Sequence, residues 1–214
     1  MPAMRPVLIT AGATRNRIDA MRFLSAHSSG KTGAYIATAL GPRDLMFLGS
    51  PEACLRAPQS IAQEIYTDTL DLLDRMRAWV GSNPAGLVVH AAAVGDYMID
   101  PADPEAEGKR RSGQDVLQLR LVPTPKILDQ VRGWSEQVYL ISFKAAAPHT
   151  NTDELARIAA QQRVRTGSDL VFGNTIGRTD AEIVIVGADG AQVYAERHYA
   201  LEALTAHIQD ARLA

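Results

Sequence analysis

The run Gly86-Leu87-Val88-Val89-His90 passes directly into Ala91-Ala92-Ala93-Val94-Gly95-Asp96-Tyr97. A continuous apolar run without polar alternation indicates a strand covered on both faces, as in a parallel sheet. The small residues that follow let a ligand approach the backbone closely. Asp96 then stands at the strand's carboxyl edge, where it either caps a turn or coordinates a magnesium ion on a nucleotide. His90 reads as a satisfied core histidine rather than a base.

Working outward, Pro6 to Thr10, Asp44 to Leu48, Ile61 to Tyr66, Val138 to Phe143 and Asp169 to Asn174 read as further strands. Helices are predicted over Gly30 to Leu40, over Leu70 to Val80, from Pro125 through Val131, over Glu154 to Arg165 and over Leu201 to Ile208. Ala181 to Val186 and Gln192 to Ala195, joined by Asp189-Gly190, form a hairpin. Val116 to Leu121 alternates apolar and polar, which predicts a half-exposed strand, and Ile18 to His27 reads as a connection. Such alternation of strands and helices is α/β with a mainly parallel sheet. Gly12 to Thr14, Ala92 to Asp96, Phe143-Lys144 and Asn174 then share the carboxyl edge, where open α/β sheets bind ligands. Lys144 is either a phosphate contact or a surface lysine.

The stretch Arg22-Phe23-Leu24-Ser25-Ala26-His27-Ser28-Ser29-Gly30-Lys31-Thr32-Gly33 precedes the apolar helix Ala34 to Leu40. Free N–H groups and a positive helix end would make it a phosphate cradle; the plainer alternative is a serine N-cap on an ordinary helix. Gly30-Lys31-Thr32 resembles the end of a P-loop, but Ser25 stands where that motif needs glycine and no strand directly precedes it. A dinucleotide fingerprint is equally weak, since Gly12 is followed by Thr14, Arg15, Asn16 and Arg17. From Ile99 to Gly113 the prolines and glutamates predict an exposed flap closing with Lys109-Arg110-Arg111, either solvated or folded over a triphosphate.

Bulk composition narrows the classes. The 214 residues suffice for one sizeable core, so a single domain over 1–214 is predicted. With 22 Lys+Arg against 24 Asp+Glu, no global field recruits nucleic acid. No apolar run is long enough to span a bilayer, and the start Met1-Pro2-Ala3-Met4 is unlike a signal peptide, which predicts a cytoplasmic protein without a membrane partner. Cys54, the only cysteine, excludes an internal disulfide and reads as filler or loop.

The chain resembles the phosphopantothenoylcysteine synthetase (phosphopantothenate–cysteine ligase) family. The matching pieces are Thr10 to Arg15, Arg22 to Gly33, Ala92 to Tyr97, Gly108-Lys109-Arg110, Val122 to Pro125, Ile141 to Lys144 and Asp169 to Asn174, in family order. The resemblance implies a homodimeric Rossmann-like ligase that activates the carboxylate of 4'-phosphopantothenate with a nucleoside triphosphate, then joins it to cysteine. It implies Mg2+ held by Asp96 with the triphosphate, and Lys109 closing from the flap. It further implies phosphate contacts from Gly12, Ser28, Ser29, Gly30 and Gly33, and nucleotide and substrate walls from Ala92, Ala93, Phe143 and Asn174. Bacterial members typically use CTP and eukaryotic ones ATP; Ser142-Phe143-Lys144 and Pro125-Lys126 look more like the eukaryotic pattern. The chain departs from the family at Ala26, usually asparagine, at Ala146, usually glutamate, and at Gln162 and Thr166, commonly lysines. Arg163 and Arg165 could supply charge from neighbouring positions. The alternative implied by these departures is a nucleotide-binding regulatory or scaffold homologue; an NAD(P)-dependent reductase rests only on the glycine turn.

Overall fold

The computed structural model describes residues 4–104, 108–110, 113 and 116–213. The chain begins with β1 (Val7–Ala11), β2 (Arg15–Arg17), β3 (Phe23–Ser25), α1 (Lys31–Leu40), β4 (Leu45–Gly49), α2 (Pro51–Cys54) and β5 (Ala62–Ile65). It continues through α3 (Thr69–Ser82), β6 (Leu87–His90), β7 (Tyr97–Ile99), β8 (Leu121–Pro123) and α4 (Val131–Trp134). The last third holds β9 (Tyr139–Ala146), α5 (Thr152–Thr166), β10 (Leu170–Thr175), β11 (Ala181–Gly187), β12 (Gly190–Glu196) and α6 (Arg197–Leu213).

Eight strands form one sheet in the order β12-β11-β10-β9-β6-β1-β4-β5. From β5 to β10 every pairing is parallel, and the hairpin β11–β12 adds two antiparallel strands. The chain runs outward from β1 to β4 and β5, then returns to β6 and runs outward the other way to β9 and β10. The expected Rossmann-like α/β sheet is therefore present, with its topological switch point between β1 and β6.

Alternate residues of single strands feed opposite layers, which explains the unbroken apolar runs. Val7, Ile9 and Phe47 pack with Ile36 of α1 and with Leu204 and Ile208 of α6. Leu8, Val88 and Leu140 face the other way, onto Leu72, Met76 and Val80 of α3 and Val131 of α4. Val171, Val184 and Val186 meet Leu155 and Ala159 of α5 on that second side. Complete burial of Phe47 and Phe172 contributes roughly 2–3 kcal/mol each. Helix ends are marked locally: Asp68 accepts from the Leu70 and Asp71 N–H groups, Asn151 accepts from Glu154 N–H, and Gly167 stops α5 in the left-handed region.

Four expectations are corrected. Residues 116–120 belong to no strand; only Leu121–Pro123 pairs, and with β7 in a separate two-stranded sheet. The three residues of β7 offer too short a ladder for the alternating run to use. The helix expected from Pro125 shrinks to α4, because Asp129 N–H bonds Lys126 O and Gln130 N–H bonds Ile127 O in tight three-residue turns. Ile18 to His27 is more than a connection: Phe23–Ser25 pairs antiparallel with Arg15–Arg17 as an exposed arm.

The fourth correction concerns the flap. Arg110 is buried rather than solvated, paired with Asp103 at 2.7 Å, and its N–H donates to Asp19. Asp19 also accepts from the Met21 and Arg22 N–H groups and the Arg22 guanidinium, and these bonds hold its carboxyl down at about 2. The described end of the flap is thus pinned to the turn between β2 and β3, at the tip of the arm. Glu105, Glu107 and Arg111 lie outside the described residues.

Candidate active site

The carboxyl edge of the sheet opens into a cleft of about 1020 Å³ over the switch point. Its walls come from residues 26–33, 90–94, 124–129 and 143–145, together with Asp96, Gln162, Arg165, Asn174 and Arg197 among others.

One end is built from backbone. Gly30 caps α1 in the left-handed region with φ 75° and no side-chain cap bond. The first helical bond runs from Ala34 N–H to Gly30 O, so the N–H groups of Lys31, Thr32 and Gly33 precede the ladder. Glycine is required sterically as well: a Cβ on Gly30 would lie 2.3 Å from Ala53 Cβ, and one on Gly33 would lie 2.5 Å from Ala11 Cβ. The Ser28 hydroxyl makes no hydrogen bond within the described residues, nor does that of Ser29, and both line the cleft.

The middle is the Asp96 loop. Its entry is zipped to the loop after β1, with Ala93 N–H donating to Gly12 O at 2.7 Å and Thr14 N–H to Ala93 O at 3.1 Å. Gly95 N–H donates to Thr14 Oγ1, Thr124 Oγ1 donates to Gly95 O at 2.6 Å, and Asn16 Nδ2 donates to Tyr97 O. These buried threonines hold the loop, while Asp96 itself is exposed and paired with Lys126. His90 lies in the floor, its Nδ1 2.8 Å from Thr10 Oγ1, and burial pulls the imidazole down to about 4, which keeps it neutral.

The β9–β10 side is built from side chains, and Arg197 ties it to the first turn of α1. The Phe143 ring stands 5.0 Å from that of Phe172, and Arg197 lies over Phe172 while donating to Thr32 Oγ1 at 2.8 Å and Thr179 O at 2.9 Å. Burial lowers the Arg197 pKa, with nearby Asp180 opposing that shift. Behind Phe143, Gln162 Nε2 donates to Ser142 Oγ at 3.0 Å and to Phe143 O at 3.1 Å. Ser142 bonds Ser168 at 2.9 Å, Ser168 bonds Thr166 at 2.7 Å, and Thr166 Oγ1 donates to Gln162 O at 2.8 Å.

Electrostatically the cleft is cationic although the chain carries −2. Lys31, Lys126, Lys144, Arg165 and Arg197 line it against Asp96, Asp129 and Asp180. Arg165 is paired with Asp129 and Lys126 with Asp96. Such a site suits an anion in a partly enclosed environment.

Of the residues singled out in sequence, Ser28, Ser29, Gly30, Gly33, Ala92, Ala93, Asp96, Phe143, Lys144 and Asn174 line this one cleft. Gly12 does not: its φ of 91° and the 2.2 Å separation of a would-be Cβ from Ser50 Oγ make it a turn that lets the two loops meet. Lys109 is exposed and off the cleft wall. Of the arginines offered as substitutes for the absent lysines, Arg165 lines the cleft, whereas Arg163 bonds Asp169 O away from it. Sequence reasoning missed Arg197, and it placed Thr14 and Thr124 in the matching segments without giving either a role. The first opens α6 after a hairpin, and no local signal distinguishes it from a surface arginine.

A family model described as DNA/pantothenate metabolism flavoprotein C-terminal domain matches residues 3–203. The coenzyme A biosynthesis bifunctional protein CoaBC of Thermococcus kodakarensis is 36% identical over 194 residues, covering 87% of this chain and 46% of that protein. The chain thus spans about half the length of the curated relatives it matches. Among solved structures, the DNA/pantothenate metabolism flavoprotein of Streptococcus pneumoniae superposes with a TM-score of 0.81 at 25% identity, covering 97% of this chain and 99% of that one. A mutant of Cab2 in complex with phosphopantothenate-cysteine shares the fold, with a TM-score of 0.74 at 18% identity over 96% of this chain and 88% of that one. Sheet order, cleft and matched span agree, and the chain belongs to the DNA/pantothenate metabolism flavoprotein C-terminal domain family.

Proposed function

We propose that this chain is a nucleotide-dependent ligase that activates 4'-phosphopantothenate, or a related phosphorylated carboxylate, as an acyl-nucleotide and joins it to cysteine. The observation that carries the reading is one cationic cleft flanked by the uncapped N-terminus of α1 at one end and the Asp96 loop in its middle. The kinship with CoaBC proteins and the ligand named in the Cab2 complex support the choice of substrate.

A carboxylate is a poor electrophile until one oxygen becomes a good leaving group. Its oxygen attacks the α-phosphorus of the nucleotide and pyrophosphate departs; the cysteine amine then attacks the acyl carbon and the nucleoside monophosphate leaves. The N–H groups of Lys31 to Gly33 and the hydroxyls of Ser28 and Ser29 bind phosphate oxygens, and Lys144 and Arg197 offset the charge. Among the described residues no three His, Cys, Asp or Glu side chains group to hold a metal alone. That donor set fits Mg2+, which is commonly held by one or two carboxylates plus phosphate oxygens and water, with Asp96 as the protein ligand. Bound there, the ion would neutralise phosphate charge.

The exposed side chains of Met21, Phe23 and Leu24 on the arm support a homodimer, and sedimentation equilibrium should read two chains per particle. Pyrophosphate release from ATP or CTP with Mg2+, dependent on both 4'-phosphopantothenate and cysteine, tests the assignment; no turnover with either nucleotide refutes it.

One observation favours the regulatory or scaffold reading. Ala26 lines the cleft with a methyl, which cannot hydrogen-bond an acyl phosphate. Under that reading nucleotide binds without amide formation. If pyrophosphate exchange occurs but no amide forms, Ala26→Asn should restore the second step.

A further inference from the structure

We infer that Gln162 is a nucleobase-reading residue, whose side-chain oxygen accepts a hydrogen bond from an exocyclic amino group and selects amino-bearing bases. The inference rests on the nucleotide reading above.

An amide's two ends are normally interchangeable in a hydrogen-bond network. Here they are not. The Phe143 carbonyl can only accept, so the Gln162 atom 3.1 Å from it must be the nitrogen. The hydroxyl relay imposes the same direction independently. Thr166 donates to Gln162 O, so its oxygen accepts from Ser168; Ser168 then accepts from Ser142, and Ser142 accepts from Gln162 Nε2. The relay starts at the amide of Gln162 and ends on that residue's own carbonyl. Ser142, Thr166 and Ser168 are at most 3% exposed, so water does not compete for these bonds.

Both protons of the nitrogen are therefore spent, and the oxygen is turned the other way. Gln162 is only 8% exposed, yet it lines the cleft, and Oε1 has no partner within the described residues and is not sealed from solvent. A buried acceptor left open on a ligand cleft is satisfied by an occupant's donor. The Phe143 ring, on the α1 and α6 side of β9, lines the same cleft and supplies a flat apolar wall for a base to stack on, and Arg197 joins the Phe143–Phe172 pair to Thr32 of α1, where the phosphate-type groups stand. Asn174 nearby differs, because no bond within the described residues fixes its amide and it can present either end.

Cytosine and uracil differ where an amino group replaces a keto oxygen, as do adenine and hypoxanthine, so paired nucleotides isolate the contact. Titration calorimetry with the magnesium complexes of CTP, UTP, ATP and ITP, without acid or cysteine, reads binding apart from turnover. The wild-type chain should favour CTP over UTP and ATP over ITP by about three- to tenfold. Gln162→Leu should erase both ratios by weakening CTP and ATP, leaving UTP and ITP within about twofold. Gln162→Met, of similar length, repeats the test should the leucine variant fold poorly. Equal wild-type affinities within each pair, or ratios that survive in the variants, overturn the inference while leaving the nucleotide reading intact. Binding of none of the four overturns both.

Discussion

On the proposed reading, the two sides of the cleft would recognise a nucleotide by different means. At α1, left-handed Gly30 and unladdered N–H groups do the work, and no side chain caps the helix. At the β9–β10 end, a relay of Ser142, Gln162, Thr166 and Ser168 does it, with every hydroxyl in a set direction. Backbone recognition depends on a conformation only glycine adopts cheaply and is indifferent to most side chains nearby. Side-chain recognition depends on residue identity and can change with one substitution. The first end suits a phosphate chain common to all nucleotides, and the second suits whatever distinguishes them.

The comparison breaks most sharply at Gly30. Gly30→Val puts a β-branched residue at φ 75° and a Cβ 2.3 Å from Ala53 Cβ, so destabilisation of about 3–5 kcal/mol is expected, read as a lower urea midpoint. Binding of all nucleotides should weaken together, whereas the Gln162 variants should weaken only CTP and ATP.

Between the two ends, neutral His90 makes a pH-dependent contribution. Its ordinary value is 6.5 and its folded value about 4, so the unfolded chain binds the proton first as pH falls. Stability is complete above about 6.5 and declines by roughly 3 kcal/mol as pH falls towards 4. Urea denaturation across that range checks it, and His90→Gln should flatten that slope.

Asp96 sharpens the separation of chemistry from architecture. Its ion pair with Lys126 is exposed, so Asp96→Asn should cost less than about 1 kcal/mol of stability. Steady-state kinetics should nevertheless show kcat lowered by about a hundredfold. A variant that keeps full turnover would remove Asp96 from the chemistry.

Much of the sheet was legible because β1, β6 and β10 are buried along their whole length, and continuous apolar runs report that directly. The arm was not: Phe23–Ser25 is a strand only because Arg15–Arg17 lies beside it. Val116 to Leu121 carried a clear alternation that nothing long enough pairs with. Arg110 reads in sequence as a solvated charge, yet its side chain pairs with Asp103 while its backbone is tied to Asp19, 91 residues away. The glycine-marked start of α1 was readable, since the conformation it needs is local; Arg197 was not, since its partners Thr32 and Thr179 come from other elements.

Sequence by itself determined the layered α/β class, the elements that reach the carboxyl edge and the glycine-dependent turn before α1. All of these follow from periodicity and backbone sterics within a few residues. Tertiary structure alone decided that Gly12 stands at a close approach to Ser50, that Lys109 lies off the cleft wall and that the Gln162 amide has one orientation. Those are properties of hydrogen bonds and contacts between residues distant in the chain, and no local pattern encodes them.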